Sequence, residues 1–200
     1  MCERFSYYGS TVVYVNFIQQ PLPEGSTTGA DSEQPGALGM GQRASTGLTT
    51  FNQFWAYVMP LLGAYLADAH LGRYKAIHVA ILFAMVGHII LVASAAPTVL
   101  RNPNSALGAF IIGLIVLGVG TGLFKSNISP LLAEQQKTLK KKIVTLKSGE
   151  RVIVDPAVTT ARMFLWFYVC INIGSLVGQI GMVKFLHSFV FSGLTKSGLR

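Results

Sequence analysis

Five apolar stretches divided by polar connections constrain this chain more than any other feature. They cover about residues 1–20, 47–69, 76–96, 106–132 and 161–187. An α-helix needs roughly 20 mostly apolar residues to cross a bilayer. Only 12% of the 200 residues are charged, whereas a soluble domain carries about 25%. The pattern predicts an all-α membrane protein with five transmembrane helices. The net charge of +8 does not predict a nucleic-acid partner, because most of it lies in two short stretches between apolar segments. Charge placed in this way marks loops on the cytoplasmic side. Cys2 and Cys170 both fall in apolar segments, far apart in the chain, and predict no disulfide framework. The start does not read as a secretory signal, since no basic region precedes it and no small-residue cleavage site follows.

The connections carry the topology. Residues 21–46 are rich in Gly, Pro, Ser and Thr, with Glu24, Asp31, Glu33 and Arg43, and predict a flexible, mildly acidic extracellular loop. Residues 97–105 read as a polar loop, and the tail 188–200 as holding no further span. The turn 70–75 and the cytoplasmic loop 133–160 with Arg162 carry nine Lys and Arg: Arg73, Lys75, Lys137, Lys140, Lys141, Lys142, Lys147, Arg151 and Arg162. The other side, with the tail, carries four: Arg43, Arg101, Lys196 and Arg200. Alternating helices then place the nine, and the N-terminus, inside. Within the basic loop, Ile143–Leu146 and Arg151–Val154 flank a Ser148-Gly149 turn and predict a short hairpin over about 143–154. Lys140, Lys141 and Lys142 suit anionic headgroups or plain solvent.

Ionisable groups inside apolar segments are costly and usually mark a substrate path or proton relay. Glu3 and Arg4 open the first segment, followed by Tyr7 and Tyr8. On a helix Arg4 and Tyr8 share one side, and Glu3 and Tyr7 a neighbouring one. A guanidinium beside a phenol suits a carboxylate-bearing ligand, and the adjacent carboxylate can hold a proton. Headgroup anchoring accounts for the same pair equally well. Lys125 lies in the fourth segment, six to eight residues from its expected end, at the edge of what snorkelling can cover. Gly118 and Gly122 beside it predict close helix contact. Asp68, Gly72 and Arg73 form a charge cluster across a turn, suited to locking one arrangement of helices. Asn172, with Gly174 and Gly178, first reads as helix–helix glue. His70, His78, His88 and His187 have no metal spacing, and no nucleophile–base pair predicts an enzyme.

Residues 63–75 have the spacing G-x-x-x-x-D-x-x-x-G-R-x-K, which resembles the signature loop of the major facilitator superfamily. Ala69 stands where that pattern often has a basic residue. Within the superfamily the chain resembles the proton-dependent oligopeptide transporters (POT/PTR). Glu3 to Gly9 match the segment-one pattern E-x-x-E-R-F-x-Y-Y-G, whose first Glu would fall before Met1. The run GTGLFKSNISPLLAEQ around Lys125 and FY-x-x-IN-x-GS in the fifth segment also match, and Gly149 to Pro156 is similar to the fungal di- and tripeptide branch.

The resemblance implies one part of a fold of twelve or more spans, arranged as two six-helix bundles with the substrate between them. The chain would be an incomplete N-terminal bundle, and the C-terminal bundle would be its partner. Proton-coupled di- and tripeptide symport across the plasma membrane would belong to the full-length protein, with the proton as coupling ion and no other cofactor. Glu3, Arg4 and Lys125 would couple the proton, and Arg4, Tyr7, Tyr8, Tyr57, Lys125 and Asn172 would face the peptide. Another small solute, such as nitrate, is the alternative within the superfamily; a membrane-inserted fragment that transports nothing is the alternative outside it. Charge pairing further predicts that Glu3 and Lys125 face one cavity and meet in at least one state, so that segments one and four are neighbours.

Overall fold

The computed structural model describes residues 1–27, 29, 34–136, 141–145 and 147–197. Asp31, Glu33, Lys137, Lys140 and Arg200, assigned above to loops or tail, lie outside the described residues. The long helices are α1 (Cys2–Gln19), α2 (Gly41–Leu66), α3 (Arg73–Ser94), α5 (Pro103–Glu134) and α6 (Pro156–Ser197). A single turn of helix, α4 (Pro97–Leu100), interrupts the connection read as a polar loop. Proline at the first position of α4 and of α5 suits a site where the missing N–H would have no helical partner. Pro60 and Pro130 lie inside α2 and α5. Helix α5 therefore continues past the expected stop, and α6 runs on through most of the expected tail. Among the described residues three helices, α3, α5 and α6 as far as Lys184, are long and apolar enough to cross a membrane. Helices α1 and α2 fall short of that apolarity because residues such as Glu3, Arg4, Asn52 and Gln53 line internal cavities.

Glycine decides which helices touch. Lipid tails are as apolar as Leu, so helices in a bilayer associate through close packing rather than a hydrophobic force. Helix α5 lies between α2 and α3. Gly118 and Gly122 receive Trp55 and Met59 of α2, and the Trp55 indole donates to the Ile115 carbonyl at 3.0 Å. Gly120 points the other way, against Ala80 and Ala84 of α3, and Gly87 of α3 receives Leu117. Successive residues turn by about 100°, so alternate glycines serve opposite faces. A second pair forms where Gly174 and Gly178 of α6 receive the backbone of Met1, just before α1, and of Phe5 within it. The outer faces of α3 and α6 leave Leu82, Val92, Leu165, Trp166 and Ile180 exposed, as expected where lipid is the solvent.

At the far end of α1 a compact core joins Tyr14 and Ile18 to Phe110 and Leu114 of α5. The Phe110 ring lies 5.2 Å from both Tyr14 and Phe17. Part of the loop expected to be flexible is built into this core: Ala37 and Leu38 are buried there. The backbone N–H groups of Leu38, Gly39 and Met40 donate to the Phe17, Gln20 and Ile18 carbonyls at 2.9–3.0 Å. The physical reason is that α1 leaves its last carbonyls unpaired, and this strap supplies the donors. The loop also ends sooner than expected, because α2 already starts at Gly41.

The predicted hairpin forms between β1 (Lys142–Thr145) and β2 (Arg151–Val154), with Ile143 opposite Ile153 and Val144 opposite Val152. Gly149 takes φ +83° in its turn, a conformation that favours glycine. Asp155 then caps α6: its carboxylate accepts the Ala157 N–H at 2.9 Å and pairs with Lys141 at 3.3 Å. The Ala157 N–H, and after it the Lys141 ammonium, hold the Asp155 carboxyl below its ordinary value.

Candidate functional site

Two cavities open between α1 and α6 on one side and α2, α3 and α5 on the other. The smaller, about 540 Å³, is lined by polar side chains from four helices, among them Arg4, Tyr7, Asn52, Tyr57, Lys125 and Gln179. The larger, about 1110 Å³, is mostly apolar, with Ile81, Met85, Ile89, Phe124 and Ile128 in its wall. Arg4, Tyr7, Tyr8, Thr121 and Lys125 border both. Glu3 borders the larger one and is the only carboxylate lining either cavity among the described residues.

The first turns of α1 hold the charged pair. Arg4 donates from Nε to Oε2 of Glu3 at 2.5 Å, and from a terminal nitrogen to Oε1 at 2.6 Å. The two side chains are only 16% and 20% exposed, so this two-pronged contact is well shielded and strong for its kind. The guanidinium also lies 5.3 Å from the Tyr7 ring centre and 5.9 Å from that of Tyr8. Both phenols therefore flank Arg4, where the spacing had aligned Arg4 with Tyr8 alone. The Lys125 ammonium rests 4.3 Å from the centre of the Tyr57 ring, a contact that stabilises by about 0.5–2 kcal/mol. In this arrangement the Glu3 carboxylate is taken by Arg4, not by Lys125. Segments one and four touch through Tyr14, Phe17 and Phe110.

Asn172 stands apart from this group. Its amide donates to the Tyr168 carbonyl of its own helix at 2.9 Å, and it lines neither cavity. Gln179, two turns further along α6, reaches the polar cavity instead. Sequence reasoning also passed over Asn52 and Gln53, although two amides in an apolar segment are themselves a signal. The Tyr14 hydroxyl at the cavity's end is buried with no hydrogen-bond partner among the described residues.

The charge cluster between α2 and α3 is assembled by a π-helical turn, Ala67–Leu71. Gly72 follows at φ +73°, open to glycine at no steric cost, and starts α3. Arg73 bridges Asp68 at 3.6 Å and Glu134, at the end of α5, at 2.5 Å. Glu134 is the partner that sequence spacing missed, because it lies 61 residues away. These groups are partly exposed, so the pair holds the three helix ends together with about 1 kcal/mol or less. Among the described residues no three His, Cys, Asp or Glu side chains gather as metal ligands do.

An ion pair and a lysine thus face two cavities, one polar and one mostly apolar, at the seam of a bundle whose apolar helices are able to cross a membrane. The POT family profile matches residues 74–191, and the chain belongs to that family. Peptide transporter PTR_C of Candidozyma auris is 44% identical over 176 residues, which is 88% of this chain and 29% of that protein. Peptide transporter PTR2 of Saccharomyces cerevisiae is 40% identical over 176 residues, 88% of this chain and 28% of that protein. The chain thus spans under a third of the length of these relatives. A crystal structure of a POT peptide transporter in complex with sulfate superposes with a TM-score of 0.62 at 22% identity, covering 96% of this chain and 34% of that one. It supports the fold.

Proposed function

We propose that this bundle supplies the proton-coupling half of a symporter for di- and tripeptides. The observation that carries it is the polar cavity in which Arg4 and Lys125 come together with Tyr7, Tyr8 and Tyr57. Two cations among phenols suit the carboxylate end of a short peptide, and the named activity of the fungal relatives points the same way. Protonating Glu3 neutralises it and frees the Arg4 fork for the peptide carboxylate. Loss of the proton restores the Glu3–Arg4 pair and drives the peptide off. Glu3, Arg4 and Lys125 thus couple the proton in this reading, and Arg73 with Asp68, Gly72 and Glu134 steadies the gate. No prosthetic group and no enzymatic step enter it. The C-terminal bundle of the same transporter would close the cavity from the other side, in the plasma membrane. Nothing in the cavity favours nitrate over a peptide.

The test is uptake by the full-length transporter in liposomes. An inward proton gradient should accelerate entry of labelled dialanine, and unlabelled dipeptides, but not nitrate, should compete. Nitrate entry without dipeptide entry would sink the proposal.

The nine-to-four division of Lys and Arg further supports a topology with the hairpin inside and the 21–40 connection outside. In a transporter lacking Cys2 and Cys170, cysteines placed at Glu24 and Lys147 should label from opposite sides of the membrane. Labelling of both from one side would overturn that orientation.

A further inference from the structure

Helix α1 carries two polar faces, and the proton-coupling scheme above uses only part of them. Arg4, Tyr7, Tyr8 and Thr11 turn to the polar cavity. Glu3, Ser6 and Ser10 follow one another by three- and four-residue steps, which sets them on one side of the helix. Across from that side stands His88 of α3. Its Nε2 lies 2.9 Å from the Ser6 hydroxyl and 3.4 Å from that of Ser10. Its Nδ1 lies 2.8 Å from the Ala84 carbonyl. A carbonyl only accepts, so Nδ1 carries the ring's hydrogen. The neutral ring therefore offers Nε2 as acceptor, and Ser6 donates to it.

We propose that His88 is a second protonation site of the transporter, on α3 and distinct from Glu3. The proposal rests on the symport reading above. Imidazole is the side chain that changes charge between about pH 5 and 8. A proton arriving at Nε2 makes it a donor, the Ser6 hydroxyl turns round to accept, and the Nδ1 bond to Ala84 persists. Ser6 can serve both states because a hydroxyl both donates and accepts. The titratable side chains around the same cavity, besides His88, are Cys2, Glu3, Arg4, Tyr7 and Tyr8 from α1, Lys125 from α5 and Tyr168 from α6.

Glu3 is the one carboxylate among them. An imidazolium in this largely apolar space adds a third cation beside Arg4 and Lys125 and competes for that single anion. Protonating His88 then loosens the Glu3–Arg4 pair from the α3 side and leaves Arg4 readier for a peptide carboxylate. The ordinary role of such a histidine is to tie two helices together. What sets this one apart is that its unprotonated ring nitrogen faces the Ser6 hydroxyl, which serves either charge state, in a cavity lined by one anionic and two cationic side chains.

His88→Gln in the full-length transporter separates the two roles, because the amide oxygen can still accept from Ser6 but takes no proton. In proteoliposomes, the ratio of proton-driven dialanine uptake at pH 5.5 to that at pH 7.5 should fall by about threefold or more. Dialanine counterflow at pH 7.5 should stay within about twofold of wild type, since binding and exchange do not need this proton. An unchanged pH ratio would overturn the proposal. Should the variant fail to fold, ¹⁵N-histidine resonances of the wild-type transporter decide, with the His88 signal identified by its response to Ser6→Ala. Conversion to the doubly protonated ring between pH 8 and 5 supports the proposal. A ring that stays neutral throughout overturns it. A wild-type protein that moves no dipeptide at any pH defeats the symport reading instead, and the resonance titration still tests His88.

Discussion

Replacing Lys125 by Ala in the full-length transporter is expected to abolish proton-driven dipeptide uptake while leaving much of the counterflow exchange. Lys125 and Arg4 border both cavities with a single carboxylate between them. In the proposed scheme Lys125 is the cation of α5 that can draw Glu3 away from Arg4, so without it a change in the protonation of Glu3 is no longer transmitted to α5. A loss of uptake of about a hundredfold or more is expected, which corresponds to about 3 kcal/mol of lost coupling. Counterflow needs no net proton movement and keeps the peptide contacts of Arg4 and the tyrosines. The measurement is labelled dialanine entry into liposomes, with and without an imposed proton gradient. Proton-driven uptake at the wild-type level would refute the coupling role.

The second large effect is on folding. Gly120→Val is expected to lower the melting temperature of the purified transporter by about 10 °C or to prevent its recovery from the membrane. A Cβ at Gly120 would stand 2.8 Å from the Ala80 carbonyl oxygen and 2.9 Å from the Ala84 Cα. Both are backbone atoms of α3, which cannot step aside without parting the two helices. Overpacking of this kind costs about 1–3 kcal/mol or more, and each kcal/mol shifts melting by a few degrees in a chain this long. Gly108→Val in the same helix is the control, because a Cβ there meets nothing within 4 Å. Equal melting of the two variants would remove close α3–α5 packing as the reason for glycine at this position.

The helices and the hairpin were legible in the sequence because period and composition act locally. Ile143, Ile153 and Gly149 declare a hairpin within a dozen residues, and Gly118 and Gly122 declare a close helix face. The sequence does not say which neighbour fills such a face. The role of Gly120 follows only from the fold, because α3 lies on the opposite side of α5 from α2. The Arg73–Glu134 contact was hidden for the same reason: its two halves are remote in the chain and each is ordinary alone. The Asn172 amide here bonds to its own helix, while Gln179, which carries no motif in the sequence, reaches the polar cavity. The strap over the end of α1 was missed because its composition is that of a loop. Ala37 and Leu38 are its only apolar pair, and their burial follows from the unpaired carbonyls of α1, which no pattern within the loop records.

The placement of the glycines divides the bundle into two tightly packed groups with a looser seam between them. Helices α2, α3 and α5 are clasped backbone to backbone, and so are α1 and α6, each through small residues that leave no slack. Between the two clasped groups lie both cavities, bridged by an aromatic cluster at one end and by hydroxyl and imidazole groups further along. An elastic body yields where it is least filled. Deformation of this bundle is therefore concentrated along that seam, which the Ser6–His88 contact spans.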